Sequence, residues 1–257
     1  MKNLKLLVYN IAHGRGLSPY QGWHSERKIR LNLKKIANLF KAIDPHIIAL
    51  QEVDEFSHWN RHLNLLEIMQ TEANYPVSFL GVNRKRVNYR PLVYGNGVLS
   101  KFPIGFRENV SFGKTLIGGK GFLYVEFEVG GKVIPLINLH LDFLSKKQRV
   151  LQIEEVVKYI IERNKNTQDG EHLEPIICGD FNTHSGRQAD AVLHLGKFLK
   201  QFSDYQLLPQ GEKTFPAVFP YKTLDFIFLP ARCEVKRCEV LKIYLSDHRP
   251  VVVEFGL

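Results

Sequence analysis

Short apolar runs, each about as long as one β-strand, recur along the whole chain and restrict its fold more than any other sequence feature. They are rich in Val, Ile, Leu and Phe, and Gly, Pro or polar residues separate them, which is typical of strands. Gly130-Gly131 stands between two such runs, so we expect a β-hairpin there. The predicted strands cover residues 4–11, 46–53, 77–82, 97–100, 122–129, 133–141, 175–178, 224–229 and 250–255.

A first amphipathic helix is predicted to begin at Ser25 and to end before Asp44-Pro45. Serine is a favourable N-cap, and proline removes a backbone donor and restricts the residue before it. The helix has one apolar stripe with spacings of three and four residues, made of Ile29, Leu33, Ile36, Phe40 and Ile43.

A second helix is predicted to begin at Ser145 and to carry its charged residues on the solvent side. Weaker helical patterns cover residues 61–72 and 188–201. The predicted buried face of the second helix consists of Val150, Ile153, Val157 and Ile160.

Many strands and a few one-sided helices are typical of an α/β (α+β) protein with two packed sheets and helices outside. The chain has 257 residues, of which 44% are hydrophobic, so it can bury a large core. Since no repeat, low-complexity tract or flexible linker interrupts the sequence, we expect a single domain over residues 1–257.

Several protein classes are disfavoured by the sequence. No apolar run reaches the ~18–20 residues that a membrane-spanning helix needs. The apolar stretch before Asn10 is short and lacks a small-residue cleavage site, so we interpret it as a strand and expect a cytoplasmic protein without a signal peptide. The three cysteines form no CxxC pair, which disfavours a disulfide framework or a structural zinc site. The net charge of +9 favours acidic partners such as phosphate esters, nucleic acid or an anionic membrane surface.

Polar residues capable of chemistry lie beside several predicted strands. One such residue alone is more often a surface group, a wall residue or part of a turn. Their repetition at so many strand ends indicates one shared site, because ligand sites of α/β proteins lie where strands end. These residues are Asn10, Glu52, His140, Asp180, Asn182, Asp225, Asp247 and His248.

Glu52 and Asp247 are the predicted ligands of a divalent ion. Mg²⁺ prefers oxygen ligands and typically takes one or two protein carboxylates together with substrate phosphate, and Mn²⁺ is the alternative ion. Asn10 is predicted to orient Glu52 or to lie near the ion.

The remaining residues fit the hydrolysis of a phosphate ester. Asp180 and Asn182 are two positions apart, so in extended chain they face the same way and can hold the attacking water and a phosphoryl oxygen. His248, supported by Asp225, is predicted to act as a base or as a transition-state donor, and the sequence leaves both roles open. His140 is expected to donate to the phosphate.

The motifs and their order resemble the endonuclease/exonuclease/phosphatase superfamily, whose fold is that of deoxyribonuclease I. The resemblance spans nearly the whole chain, and it implies a four-layer αββα sandwich and a divalent-metal phosphoesterase in which the matching residues have the roles given above. The motifs are Asn10-Ile11, Gln51-Glu52-Val53, Gly97-Val-Leu-Ser-Lys101, Asn138-Leu-His140, Gly179-Asp-Phe-Asn182, Leu224-Asp225 and Ser246-Asp-His248.

The motif combination is specific for the superfamily and much less so for the substrate. We expect a phosphodiesterase, with nucleic acid favoured because of the positive charge. The alternatives are a phospholipid headgroup, as in sphingomyelinases, and an inositol phosphate. A catalytically silent phosphate-binding module is the non-enzyme alternative, which the complete acidic, amide and imidazole set disfavours. No protein partner is predicted.

Residues 83–94 combine four cations with Tyr89 and Tyr94. The cations of this segment could bind a phosphate backbone, and its tyrosines could stack on a base. We favour the simpler interpretation of a solvated loop between two strands. Trp23 and Trp59 are both expected to pack over the edge of the core.

Overall fold

Two mixed β-sheets lie face to face in the computed structural model, and helices cover the outer face of each. The structure describes residues 3–87, 89–113, 119–165, 174–183 and 190–257. The helices are α1 (Glu26–Ile43), α2 (Leu65–Ala73), α3 (Lys146–Lys165) and α4 (Asp190–Leu199). The strands are β1 (Asn3–Asn10), β2 (Ile47–Asp54), β3 (Val77–Arg86), β4 (Leu92–Ser100), β5 (Ile104–Ser111), β6 (Gly121–Val129), β7 (Lys132–His140), β8 (Ile176–Asp180), β9 (Tyr205–Leu208), β10 (Asp225–Pro230), β11 (Glu234–Val240) and β12 (Val251–Gly256).

Sheet 1 has the strand order β11-β12-β1-β2-β4-β3, and sheet 2 has the order β5-β6-β7-β8-β10-β9. Each sheet contains one parallel pair at its centre, β1 with β2 and β7 with β8, flanked by antiparallel strands. The helices α1 and α3 connect these parallel pairs. This arrangement confirms the predicted αββα sandwich.

The central strands are buried on both faces, and β1 shows how the sequence achieves this. Leu6 and Val8 pack in the core between the sheets, whereas Leu7 and Tyr9 pack in the cluster that includes Leu33 of α1. A strand covered on both sides has no polar face, so it is a continuous apolar run in the sequence. A third apolar cluster fills the space between sheet 2 and the helices α3 and α4.

The strands β5, β9 and β11 are absent from the sequence-based prediction, and all three lie at sheet edges. Edge strands are half-exposed and often carry charges, as at Arg107 in β5 and Arg237 in β11, so they lack an apolar run. The strands β3 and β4 extend further than predicted and form a hairpin. Residues 83–94 are therefore mostly strand, and the prediction of a loop there holds only around the turn.

The structure confirms α1, with Ser25 as its N-cap, and the start of α3 after Ser145, whose Oγ atom accepts a hydrogen bond from the Gln148 amide, but it corrects the bounds of the two weaker helical patterns. The prediction for 61–72 starts too early, because Asn64 caps α2 and the helix begins at Leu65. For 188–201, residues 188 and 189 lie outside the described residues, and the helix ends at Leu199.

The predicted buried face of α3 is partly wrong. Ile153 and Ile160 are buried, but Val150 and Val157 are only half-buried. The helix instead turns Arg149 and Gln152 inward, because both bind the loop that follows β7. The Gln152 Oε1 atom accepts a hydrogen bond from the Asp142 amide at 2.8 Å, and Arg149 Nη1 donates to the Asp142 carbonyl at 3.2 Å.

The two tryptophans have different surroundings. Trp23 is 73% exposed, so the expectation that it packs over the core is wrong. Trp59 is half-buried and packs against His13, with ring centroids 5.0 Å apart.

Among the described residues, no helix is both long enough and apolar enough to span a membrane. The cysteines are free, and Cys178 is buried in the core, where burial raises the pKa of its thiol.

The topology brings many loops to one end of the sandwich, which we call the polar end. The parallel strands β1, β2, β7 and β8 end there, and their antiparallel neighbours begin there. The carboxyl ends of parallel strands are where ligand sites of such sheets lie. The described loop residues of the polar end are 11–25, 55–64, 87, 89–91, 112–113, 119–120, 141–145, 181–183, 209–224 and 241–250.

Replacement of Gly179 with alanine is expected to destabilise the protein by about 3 kcal/mol, since the residue adopts a φ that side chains disfavour and has no space for one. Its φ is +134°, and an added Cβ would lie 2.0 Å from the Leu139 carbonyl oxygen. Gly131→Ala is the matched control, because Gly131 has a φ of +80° with nothing within 4 Å of the added Cβ. Urea unfolding measures both, and equal losses would refute the steric argument.

Candidate functional site

A row of alternating carboxylates and imidazoles runs across the polar end. Consecutive side chains approach one another at nitrogen–oxygen distances of 2.6, 3.4, 3.9, 3.5, 3.7 and 2.8 Å. The row extends from sheet 1 to sheet 2, so its side chains come from both sheets. In order, it consists of Asp54, His13, Glu52, His140, Asp180, His248 and Asp225.

Glu52 is placed by an irregularity in β2. The pairing with β4 shifts register between Leu50 and Val53, and Glu52 has a φ of +57°. Buried amides hold this distorted backbone. Gln51 Nε2 donates to Asn138 Oδ1 at 2.6 Å, and Asn138 Nδ2 donates to the Leu50 carbonyl at 2.9 Å. Because Asn138 belongs to β7, these hydrogen bonds also tie the two sheets together at the site.

The Glu52 side chain is 21% exposed and lies in a positive environment. Burial by itself raises the pKa of Glu52, but His13, His140 and Lys120 outweigh that effect and hold the pKa well below its usual value. Among the described residues, no hydrogen bond to this carboxylate is formed, although His13 lies at ion-pair distance. Glu52 is thus an ionised carboxylate whose oxygens can still take a ligand.

Asp180 is fixed by two hydrogen bonds. Its Oδ2 atom accepts from Asn10 Nδ2 at 3.0 Å, and its Oδ1 atom accepts from the Asn182 amide at 2.9 Å. Asn182 has a φ of +48°, and its Nδ2 atom donates to the Leu141 carbonyl at 3.0 Å. Burial raises the pKa of Asp180 to about 6, with His248 opposing and Asp225 reinforcing the shift.

His248 and Asp225 form the predicted pair. His248 Nδ1 lies 2.8 Å from Asp225 Oδ2, which leaves Nε2 facing Asp180 at 3.7 Å. Burial disfavours the imidazolium, but the carboxylates of Asp225 and Asp180 prevail and raise the pKa of His248 to about 10. The other carboxylate oxygen of Asp225 is buried without a hydrogen-bond partner in the described part of the chain.

Lys120 and His13 also belong to this centre, although the sequence analysis missed both. Lys120 is buried, and its Nζ atom contacts His140 Nε2. Burial, outweighing Glu52 and Asp180, lowers the pKa of Lys120, and burial with Lys120 nearby lowers that of His140. The sequence did carry a signal, since Lys120 directly precedes β6 and a strand antiparallel to β7 begins where β7 ends.

Asp247 lies at the same end but is already paired. Its Oδ2 atom accepts a hydrogen bond from Arg15 Nη2 at 2.5 Å. Its neighbour Ser246 donates from Oγ to the Asn10 carbonyl at 2.7 Å, which anchors this loop to the end of β1. Two of the predicted metal ligands, Glu52 and Asp247, are carboxylates. Among the described residues, a cationic side chain donates a hydrogen bond to Asp247 but not to Glu52.

A second set of groups also has the spacing of a metal site. Asp180, Asp225 and His248 offer ligand atoms that all lie within 4.8 Å of one another. The arrangement therefore fits a divalent ion at one of two places, beside Glu52 or between these three side chains.

Comparison with known proteins places the chain in a family. The sequence model of the Endonuclease/Exonuclease/phosphatase family matches residues 7–248. The chain belongs to the endonuclease/exonuclease/phosphatase family. Members of this family are phosphoesterase hydrolases. None of the curated proteins matches the chain.

Solved structures agree with the family assignment. An endonuclease/exonuclease/phosphatase from Beutenbergia cavernae superposes with a TM-score of 0.75 at 17% identity, covering 100% of this chain and 72% of that chain. A mannosyl-6-phosphatase from Bacteroides thetaiotaomicron has a TM-score of 0.71 at 19% identity, covering 99% and 100%. Sphingomyelinase C from Streptomyces griseocarneus has a TM-score of 0.67 at 20% identity, covering 100% of both chains. These likenesses establish the endonuclease/exonuclease/phosphatase fold and leave the substrate open.

Proposed function

We propose that this protein is a divalent-metal-dependent phosphodiesterase that hydrolyses its substrate by direct attack of water. The row of alternating carboxylates and imidazoles carries the proposal. Burying so many ionisable groups is costly unless they are paired, and active sites are where such clusters occur. The same observation argues against a silent binding module.

The residues present fit Mg²⁺ or Mn²⁺. Glu52 has an ionised carboxylate with free acceptor capacity, and Asn10 and Asp247 lie at the same end of the sandwich with oxygens that already accept hydrogen bonds from Ala12, Ser246 and Arg15. These residues would hold the ion, and Asp180, Asp225 and His248 form the alternative place. A bound divalent ion supplies charge neutralisation at the phosphoryl group.

The side chains of the row and Lys120 are proposed to have the remaining chemical roles. Asp180, fixed by Asn10 and by the Asn182 amide, is placed to orient a water and accept its proton. His248, locked through Nδ1 by Asp225, presents Nε2 to the reacting centre and donates to charge that develops there. His140 and Lys120 add donors for the phosphoryl oxygens from the sheet 2 side.

The test is hydrolysis of bis(p-nitrophenyl) phosphate, with p-nitrophenyl phosphate as the monoester comparison. We expect Mg²⁺-dependent release of nitrophenol from the diester that EDTA abolishes and added Mg²⁺ restores. Absence of turnover with both Mg²⁺ and Mn²⁺ would overturn the proposal. Turnover of the monoester alone would assign phosphomonoesterase activity in place of phosphodiesterase activity. The charge of +9 attracts nucleic acid and anionic lipid alike, so single-stranded DNA and phospholipids complete the panel.

Lys120→Met is expected to lower kcat/KM for this diester by about 10²-fold, because one preorganised cationic donor is lost. Methionine keeps the length and apolar stem of the buried lysine, so the fold is expected to persist. Lys146→Met is the control, since Lys146 is an exposed lysine at the start of α3. Steady-state kinetics give the answer, and unchanged kcat/KM would remove Lys120 from the mechanism.

A further inference from the structure

Exposed apolar side chains are concentrated at the polar end. Of the seventeen large hydrophobic side chains that are exposed among the described residues, twelve belong to its loops. The other five are Leu31, Val133, Leu151, Leu193 and Phe202. The rim apolar set at the polar end consists of Leu17, Tyr20, Trp23, Phe56, Val87, Tyr89, Phe143, Leu144, Val218, Phe219, Tyr221 and Tyr244.

Members of the rim apolar set come from separate loops around the site. Trp23 follows β1, Tyr89 lies in the hairpin between β3 and β4, and Phe219 precedes β10. These three side chains are 73%, 93% and 88% exposed, which is close to full contact with water. A monomeric protein rarely leaves so many large apolar groups together in water, so this end indicates an interaction surface.

Positive charge accompanies these apolar groups. Lys222 lies 5.2 Å from the ring centre of Tyr221, Arg249 lies 5.9 Å from that of Tyr244, and Arg90 lies 6.0 Å from that of Tyr89. In the described loop residues of the polar end, Glu212 is the one exposed acidic residue. A partner that matches this end is therefore both apolar and negatively charged.

We propose that the polar end docks on a lipid bilayer that contains anionic phospholipids, which brings the site to their headgroups. Exposed aromatic rings beside cations suit the interface of a bilayer. There the apolar part of a side chain can contact acyl chains while its polar or charged end stays among the headgroups. A polynucleotide would satisfy the cations and stack on rings, but it would leave Leu17, Val87 and Val218 in water. Aliphatic groups at the tips therefore favour the bilayer. As far as it names phospholipids as the substrate class, the inference rests on the proposed function.

Binding to vesicles tests the docking surface independently of hydrolysis. In flotation experiments the full chain is expected to bind phosphatidylcholine vesicles that contain phosphatidylserine and to bind pure phosphatidylcholine more weakly. The variant Trp23→Ala/Tyr89→Ala/Phe219→Ala is expected to lose at least about tenfold in vesicle affinity, because aromatic insertion is lost. The matched control is Val133→Ala/Leu193→Ala/Phe202→Ala, which removes exposed apolar groups outside the rim apolar set and should bind as the wild type.

The remaining measurements separate the outcomes. Hydrolysis of the soluble diester should be unchanged in the Trp23/Tyr89/Phe219 variant, since none of these residues belongs to the catalytic centre. No binding to either vesicle, or equal loss in both triple variants, would overturn the docking proposal. Binding of single-stranded DNA without vesicle binding, weakened by the same three substitutions, would also overturn it and assign the surface to nucleic acid. Failure of diester hydrolysis with intact vesicle binding would refute the proposed function alone.

Discussion

Replacement of His248 with alanine is expected to lower kcat for bis(p-nitrophenyl) phosphate by about 10³-fold, within the range of acid–base and electrostatic contributions. The Nε2 atom of His248 faces Asp180, and its Nδ1 atom is held by Asp225, so the imidazole has one orientation. The measurement is kcat at saturating Mg²⁺.

Two controls make this loss interpretable. His194→Ala removes an exposed imidazole on α4 and should leave kcat unchanged. Since alanine at position 248 leaves Asp225 buried without its partner, His248→Asn provides a polar replacement whose thermal unfolding can be compared with the wild type. A folded His248 variant with near-normal kcat would exclude the residue from catalysis.

Replacement of Glu52 with glutamine is expected to abolish Mg²⁺-dependent turnover, with a loss of about 10³-fold or more, because the proposed ion ligand is removed rather than one proton-transfer group. The change keeps the shape of the side chain but removes the charge that His13, His140 and Lys120 surround. Calorimetric titration with Mn²⁺ should show weaker binding in the same variant, which gives a readout that does not depend on turnover.

This titration also discriminates between the two places where an ion fits. If the ion sits beside Glu52, Glu52→Gln weakens Mn²⁺ binding and Asp225→Asn has a smaller effect. Unchanged Mn²⁺ affinity in Glu52→Gln, with loss in Asp225→Asn, would move the ion to the Asp180, Asp225 and His248 set. Glu67→Gln on α2 is the charge-matched control and should bind the ion as the wild type.

The sequence allowed prediction of the sandwich because its central strands are buried on both sides. A run such as that of β1 is too short for a typical helix, and the polar residues that delimit it favour a strand covered on both faces. The edge strands β5, β9 and β11 gave no such signal, since their half-exposed residues are mixed in polarity. The apolar pattern predicted the helix α3 but not its whole buried face, because Arg149 and Gln152 belong to that face.

For the site, polar residues beside the predicted strands were found from the sequence, including Asp225 at the start of β10 and His248 before β12, whereas Lys120 and His13 were missed. Asp180 and Glu52 stand at or near the ends of parallel strands, so topology alone draws them together. Lys120 precedes β6, and His13 lies in the turn after β1, where its φ is +54°. The pairing of Asp247 with Arg15 joins residues 232 positions apart, and no local pattern encodes such a contact.

The division of the row between the two sheets has a consequence for how activity arises during folding. Asn10 and Glu52 come from sheet 1, whereas His140, Asp180 and Asp225 come from sheet 2. A chain in which either sheet has formed without the other holds only half of the chemical groups. The proposed hydrolysis needs both halves, so its turnover is expected to report complete assembly of the sandwich rather than the formation of secondary structure.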